Sequence, residues 1–342
     1  GAVAGAANCH IVKPGGILTI KAVKGNSTTA LDFDNAALVW QDAIGLVSSV
    51  SGNGSEGVVV VKIADGKEGN AVVAARDGDR VVWSWHVWVT DYDPEADIFE
   101  WQDANGVTYK YMDRNLGAMS AQMFSKESIG LMYQWGRKDP FPGGDNVESS
   151  VQKRIYDING NQIYMKTEER PTYNDNTSTN LQLAIEHPDV FYHAPSSSWP
   201  AVDWLTNKTS LQNNDLWGGK TNAKTIYDPC PEGYRVPDAS HLNALSELNN
   251  GKLPGSTRDQ YYGYHFNTGV TTNYFPATGY VNSAKADAGS LTNEGYWGMY
   301  WSSCASGQNS SAMYAQAGGS VAMTTGGTGI RGNLMSVRCL KE

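Results

Sequence analysis

The chain is poor in charge, poor in cysteine and without a long apolar run. Charged residues make up only 18% of 342 positions, and the formal net charge is −9. No cluster of Lys and Arg interrupts this balance, so the basic footprint that nucleic acid requires is missing. No stretch approaches the about 18 apolar residues of a membrane-spanning helix, and none is expected. The four cysteines (Cys9, Cys230, Cys304 and Cys339) include no Cys-x-x-Cys pair, which argues against zinc. Neither a G-x-S-x-G elbow nor an H-E-x-x-H helix is present. The opening Gly1-Ala2-Val3-Ala4-Gly5 has no charged n-region and no apolar h-region, so any leader is expected to have been removed.

What is abundant is glycine, with 37 residues, and aromatics, with 18 Tyr and 11 Trp. With so few charges, this composition points to a β-rich extracellular protein with long ordered loops, and away from disorder.

Residues 8–90 read as short strands separated by turns, at 17–23, 58–63, 70–76 and 81–89. Asp77-Gly78-Asp79 between two apolar runs is a hairpin signal. In the last run Trp83, Trp85, Val87 and Val89 fall on one face, because strand side chains alternate. The pattern predicts a β-sandwich over 1–92. His86, among tryptophans and without a second His nearby, is expected to be structural. The acidic, Pro-containing segment 90–97 marks the expected boundary, with a second domain over 100–342. There, 107–112 alternates as a strand, and Ile129, Met132 and Tyr133 suggest a short helix over 125–134. Asn159-Gly160 predicts a hairpin of 154–158 with 161–165. A brief helix is expected over 181–187. Asp238 is placed to cap another helix, with Leu242, Leu245 and Leu248 as its stripe. Strands are expected at 274–277, 297–303 and 334–340.

Residues 327–332 match G-x-G-x-x-G, but a strand follows where a dinucleotide site needs a helix, so an inter-strand loop is expected. Asp157, Asn159, Asn161 and Glu168 partly match a calcium loop, yet Gln162 stands where its glycine should be. His187 and His193 are separated by Pro188 and cannot share a helix face. Sugar binding uses aromatic rings for stacking and amides for hydroxyls. Tyr262, Tyr264, Asn273, Tyr274, Asn293, Glu294, Tyr296 and Trp297 supply those types, the alternative being that their rings fill the core under the loops. Four cysteines allow three pairings. Cys230–Cys339 is favoured, with Cys9 and Cys304 free, against the alternative of four buried thiols.

Asp228-Pro229-Cys230-Pro231-Glu232-Gly233-Tyr234-Arg235-Val236-Pro237, Tyr300-Trp301-Ser302-Ser303 and Ser336-Val337-Arg338-Cys339 resemble the frame of the FISUMP-type (major paralogous) domain of Bacteroidetes and Fibrobacter surface proteins. Met112-Asp113-Arg114-Asn115-Leu116-Gly117 and Gly130-Leu131-Met132-Tyr133-Gln134-Trp135-Gly136-Arg137 match the same pattern, and the resemblance covers about 100–342. The first part, through Cys9-His10-Ile11-Val12 and Trp83-Ser84-Trp85-His86-Val87-Trp88, resembles the β-domain that precedes this module in fimbrillin-like proteins. The resemblance implies two domains: an N-terminal all-β, Ig-like sandwich and a C-terminal α+β, C-type-lectin-like domain with long loops. It also implies export to the cell surface or outer membrane, and a non-enzymatic role in cell adhesion through glycan binding, with or without fimbrial association, the alternatives being a structural fimbrial subunit without a small ligand or an enzyme on a formylglycine-generating-enzyme-like fold. The implied partners are a glycan or host surface protein, and other fimbrial subunits. The Glu-Pro-Asn or Gln-Pro-Asp motif of calcium-dependent lectins is missing, as is the close cysteine pair of formylglycine-generating enzymes. No metal or cofactor is therefore expected.

Overall fold

The computed structural model describes residues 2–147, 150–171, 176–197, 203–219, 223–247, 262–267, 272–316 and 328–342. The Trp-rich strand Arg80–Val89 organises its first half. It pairs antiparallel with Gly69–Asp77 across the Asp-Gly turn and parallel with Cys9–Val12. Asn35–Gln41 continues this sheet on the far side of Gly69–Asp77. A second sheet runs Val3–Ala4, Ile17–Lys21, Val58–Ile63, Val47–Asn53. Trp83, Trp85, Val87 and Val89 all point between the two sheets, where they meet Ile20, Val59 and Val61. The alternation read from the sequence is therefore the core face of a β-sandwich.

The other face of the Trp-rich sheet is buried too. Cys9, Trp40, Val72 and Trp88 pack with Tyr133, Trp135 and Trp301 from the second half. This explains why Gly69–Asp77 reads as a continuous small apolar run instead of an alternating one. The expected Asn-Gly hairpin forms, with strands Ile155–Tyr156 and Gln162–Ile163, and it extends the Trp-rich sheet, Tyr156 pairing with Gln41. Packing and hydrogen bonds thus continue across segment 90–97. Asn70 Nδ2 donates to Gly117 O at 2.9 Å, and Trp88 Nε1 to Ala118 O at 3.2 Å.

In the second half, Leu340–Lys341 lies between Tyr234–Arg235 and Thr108–Met112, with Ile98–Gln102 outermost. The two motif ends pair directly, Tyr234 with Lys341 and Arg235 with Leu340. The Cys230–Cys339 disulfide closes beside them, its Cα atoms 6.0 Å apart. Cys9 is free and buried, and Cys304 is free and partly exposed. The turn before Tyr234 is fixed from within. Asp228 accepts from Cys230 N at 2.8 Å and Val236 N at 3.0 Å. Lys224 Nζ donates to the carbonyls of Cys230, Pro231 and Tyr234. A further sheet runs Phe141–Pro142, Leu131–Gln134, Leu334–Ser336, Trp297–Ser306, Asn309–Gln316, Thr328–Gly329.

Two expected elements are different. Over 125–134 the helix is replaced by a single 3-10 turn, Lys126–Ser128, and the strand Leu131–Gln134. Gly130 has φ 74°, which breaks any helix, and Leu131–Gln134 finds a partner strand in Leu334–Ser336. The closing strand is split into Leu334–Ser336 and Leu340–Lys341, which belong to different sheets. Between them Val337 O and Cys339 O accept from Leu116 N and Met112 N.

Helix α1 spans Thr177–Glu186 and is capped by Asn176 Oδ1 accepting from Thr179 N at 3.1 Å. Arg137 caps its other end, donating to Ala184 O and His187 O while its guanidinium faces Phe141 and Trp204. Helix α2 spans Ala239–Glu247, and Asp238 Oδ1 accepts from His241 N at 3.0 Å, the cap its sequence predicts. Leu242 and Leu245 are buried, while Leu248 lies outside the described residues. No helix among the described residues is long and apolar enough to cross a membrane.

Candidate functional site

Arg338, within the closing Val-Arg-Cys motif, is fully buried and determines much of the surface above it. Its Nε and Nη2 donate to Asn115 Oδ1 at 3.0 and 2.8 Å, Nη1 to Asn273 Oδ1 at 2.6 Å, and Nη2 to Tyr274 O at 2.8 Å. The guanidinium lies 3.9 Å from the centre of the Phe275 ring. Burial lowers its pKa to about 10, so it remains charged at neutral pH. The partner Asn115 donates to Ile129 O at 3.0 Å and to Tyr300 OH at 3.2 Å. These bonds pin the hairpin of Gly263–Asn267 with Thr272–Pro276 to the closing strand.

This arrangement divides the eight sugar-site candidates. Tyr264, Asn273 and Tyr274 are only 3%, 5% and 3% exposed. Tyr264 belongs to the core with Leu242 and Phe275. Asn273 uses its carbonyl on Arg338 and its amide on Asp113 O at 2.9 Å. Tyr274 donates its hydroxyl to Tyr262 O and stacks on His265 at 5.1 Å. For these three the structure replaces the expected surface role with a packing one, because a buried cation needs their acceptors and the hairpin needs their rings. Trp297 is half-buried and stacks on Tyr280 at 6.3 Å.

The rest converge. Tyr262 O accepts from Ala277 N, and Ala277 O accepts from Gly295 N, each at 2.8 Å. Gly295, at φ 70°, lies so close to Tyr262 that a Cβ there would sit 2.7 Å from its ring. Tyr262 and loop 293–297 therefore form one surface, with Tyr296 42% exposed and Asn293 and Glu294 half-buried beside it. Burial pushes the Glu294 carboxyl above its ordinary pKa. Phe124, 47% exposed, meets Tyr262 edge-on at 6.2 Å. Among the described residues the non-glycine residues with positive φ are Phe124 (60°), Tyr262 (44°) and Asn293 (62°), all in this patch. A left-handed backbone costs a non-glycine residue roughly 1–2 kcal/mol. The sequence reading missed Phe124 and its neighbour Met123. Two adjacent large apolar residues in a stretch with no strand or helix period were the available signal.

Met123 leads from this patch into an open groove of about 490 Å³, lined also by Asp97, Phe99, Asp113, Gln122 and His265. A smaller cavity of about 180 Å³ lies where the two halves meet. In its wall Asp42 accepts from Asn70 N at 2.7 Å and Asn70 Nδ2 at 3.0 Å, and lies 3.3 Å from Lys153 Nζ.

Other constellations are wired for structure. Lys138 Nζ donates to Ser84 Oγ at 2.6 Å and to both Asp139 oxygens. This resembles a serine–lysine pair, but it is buried and the adjoining space is only about 10 Å³. Asp238 holds both Ser240 Oγ and His241 Nδ1, so the serine is on the acid and not on the imidazole. His86 Nε2 lies 2.8 Å from Asn70 Oδ1, in a buried site. Because the Asn70 amide already donates to Asp42 and Gly117, its oxygen must accept, which places the proton on His86 Nε2. His193 contacts Ala194 O, and His187 caps α1 elsewhere. Asp157 accepts from Asn159 N and Asn161 N, the turn chemistry of a hairpin. In the glycine-rich match, Gly327 lies outside the described residues, Gly329 packs against Trp301, and Arg331 bonds Asn309 O and Asn214 Oδ1. No cluster of three or more His, Cys, Asp or Glu suited to a metal occurs among the described residues. Compared with protein-family models, with curated proteins and with solved structures, the chain matches none.

Proposed function

We propose that this is a non-enzymatic cell-surface protein that mediates adhesion by binding glycans on the patch of Phe124, Tyr262 and Tyr296. The observation that carries this reading is the convergence there of three left-handed non-glycine residues, two of them aromatic and partly exposed. Strain of this kind persists where surrounding structure enforces it, and it concentrates at ligand sites. Exposed rings suit the apolar face of a pyranose, and the adjoining groove offers polar side chains for its hydroxyls. A disulfide in the second half supports folding in an oxidising compartment, in keeping with export. The lectin-like reading of the second half is supported by its closing strand lying beside its opening strand pair, with both helices and the long loops between.

A glycan array, followed by calorimetry on the best binder, tests this. Each of Phe124→Ala, Tyr262→Ala and Tyr296→Ala is expected to weaken binding by about 0.5–1.5 kcal/mol. Absence of any glycan signal above control would sink the reading and favour a purely structural subunit.

A further inference from the structure

We propose that the open edge of strand Ile98–Gln102 is an interaction surface that takes up an extended, basic segment of a partner protein as an added strand. The proposal goes beyond the glycan reading and does not depend on it.

Ile98–Gln102 is the outermost strand of its four-stranded sheet, and among the described residues it pairs only with Thr108–Met112. Asp103 N donates to Val107 O at 2.9 Å. Bonded pairs alternate along an antiparallel ladder, so Trp101 with Tyr109 and Phe99 with Tyr111 are the next ones. The same alternation sends Met112 N the other way, to Cys339 O. The N–H and C=O groups of Ile98, Glu100 and Gln102 therefore face outward, with no backbone partner among the described residues. Proteins ordinarily blunt such an edge by shortening it, bulging it or placing Lys or Pro on it. This chain does so elsewhere. Val3–Ala4, Phe141–Pro142, Gln162–Ile163 and Thr328–Gly329 are two residues long at the ends of their sheets, and Val47–Asn53 has a register shift at its start. Ile98–Gln102 keeps five residues in unbroken register and contains neither Lys nor Pro.

The strand is also held firmly and faces a recess. Phe99 and Trp101 are buried in the core with Tyr111 and Leu340. Ile98 and Phe99 line one end of the groove of about 490 Å³. An added strand would gain affinity from the outward backbone groups and lay alternate side chains on the Phe99 face, where the groove can receive one. Charge sets the sign of the partner. Segment 91–103 carries Asp91, Asp93, Glu95, Asp97, Glu100 and Asp103, and neither Lys nor Arg. Glu95 and Glu100 pair with Lys341 and Lys110 from neighbouring strands. Asp91, Asp93 and Asp97 are exposed, and no ion pair neutralises them among the described residues. A basic segment complements this edge. A second copy of the chain does not, because antiparallel pairing about the strand's midpoint would set Glu100 against Glu100 between two chains of net charge −9.

The test pans a display library of random peptides against the full chain and measures the best binder by calorimetry. Enriched sequences should be rich in β-branched residues and carry Lys or Arg, and their binding should weaken as salt rises. Glu100→Pro removes one outward N–H and no bond to Thr108–Met112, so it should weaken the peptide about tenfold or more while leaving glycan binding unchanged. Glu100→Ala keeps the N–H and should weaken it no more than about fivefold. In hydrogen exchange followed by NMR, bound peptide should protect the amides of Ile98, Glu100 and Gln102 and leave the already slow amides of Phe99 and Trp101 unchanged. That protection decides the matter if Glu100→Pro fails to fold. A library without binders, acidic binders, binding indifferent to a folded Glu100→Pro, or binding that leaves those three amides unprotected would overturn the proposal. So would a dimer of the free chain that Glu100→Pro dissociates, which would make the occupant a second copy.

Discussion

At the scale of single residues, buried cations do the work that a larger regular framework would otherwise do. Arg338, Arg137 and Arg331 each tie several loop carbonyls or amides while facing an aromatic ring. Arg338→Lys should therefore be severe, because one ammonium cannot reach Asn115, Asn273 and Tyr274 in the planar arrangement of a guanidinium. A loss of at least about 3 kcal/mol in urea unfolding is expected. The buried histidines set a pH dependence. Burial lowers His86 from the ordinary 6.5 to about 3, and His10 from 6.5 to about 4. Their folded pKa values are depressed, so the unfolded chain binds more protons below pH 6.5 and stability falls as pH drops from there. Each histidine contributes a slope approaching 1.4 kcal/mol per pH unit, about the energy of one pKa unit. Urea midpoints between pH 7 and 5 should show this loss, and His86→Gln, which keeps a donor for Asn70, should reduce the slope by up to about 1.4 kcal/mol per pH unit.

Among the elements, the loop 120–124 and the turn into the hairpin at Tyr262 are where local preference and tertiary structure disagree. Phe124 holds a left-handed backbone that glycine would adopt at no steric cost. Phe124→Gly should raise stability by up to about 1 kcal/mol while weakening glycan binding. Differential scanning calorimetry and the calorimetric binding assay check the two signs together. A variant less stable and equally active would show that the strain serves packing instead. Element boundaries were legible where turn chemistry is local. The Asp-Gly and Asn-Gly hairpins and the Asp238 cap formed as read. Segment 131–134 was misread because Met132 and Tyr133 fit helical spacing equally well. Its strand state comes from a partner about two hundred residues away, which no local window contains.

For the whole molecule, the clasp joins the last strand to the turn that precedes Tyr234, and it closes a loop of 109 residues. Replacing both Cys230 and Cys339 by Ala should cost roughly 4–5 kcal/mol if the chain-entropy model holds, measured by urea unfolding against the oxidised wild type. A loss under about 1 kcal/mol would assign the stability to the strand pairing alone. The two halves share a core through Trp40, Trp88 and Trp135, so unfolding should be a single transition in the same experiment.

The sequence by itself determined the β-rich class, the tryptophan-bearing strand face and the hairpins, while it left three cysteine pairings open and the structure decided for Cys230–Cys339. Alternation and turn residues act over a few positions and leave a readable trace. Only the tertiary structure decided which aromatics meet solvent. Tyr274 and Tyr262 look alike in sequence. The first is held inward by its stacking on His265 and by Arg338 on its backbone, and the second is held at the surface by Gly295 against its ring. Exposure is a property of distant partners, and that is why half of the candidate site could not be told from core until the chain was folded.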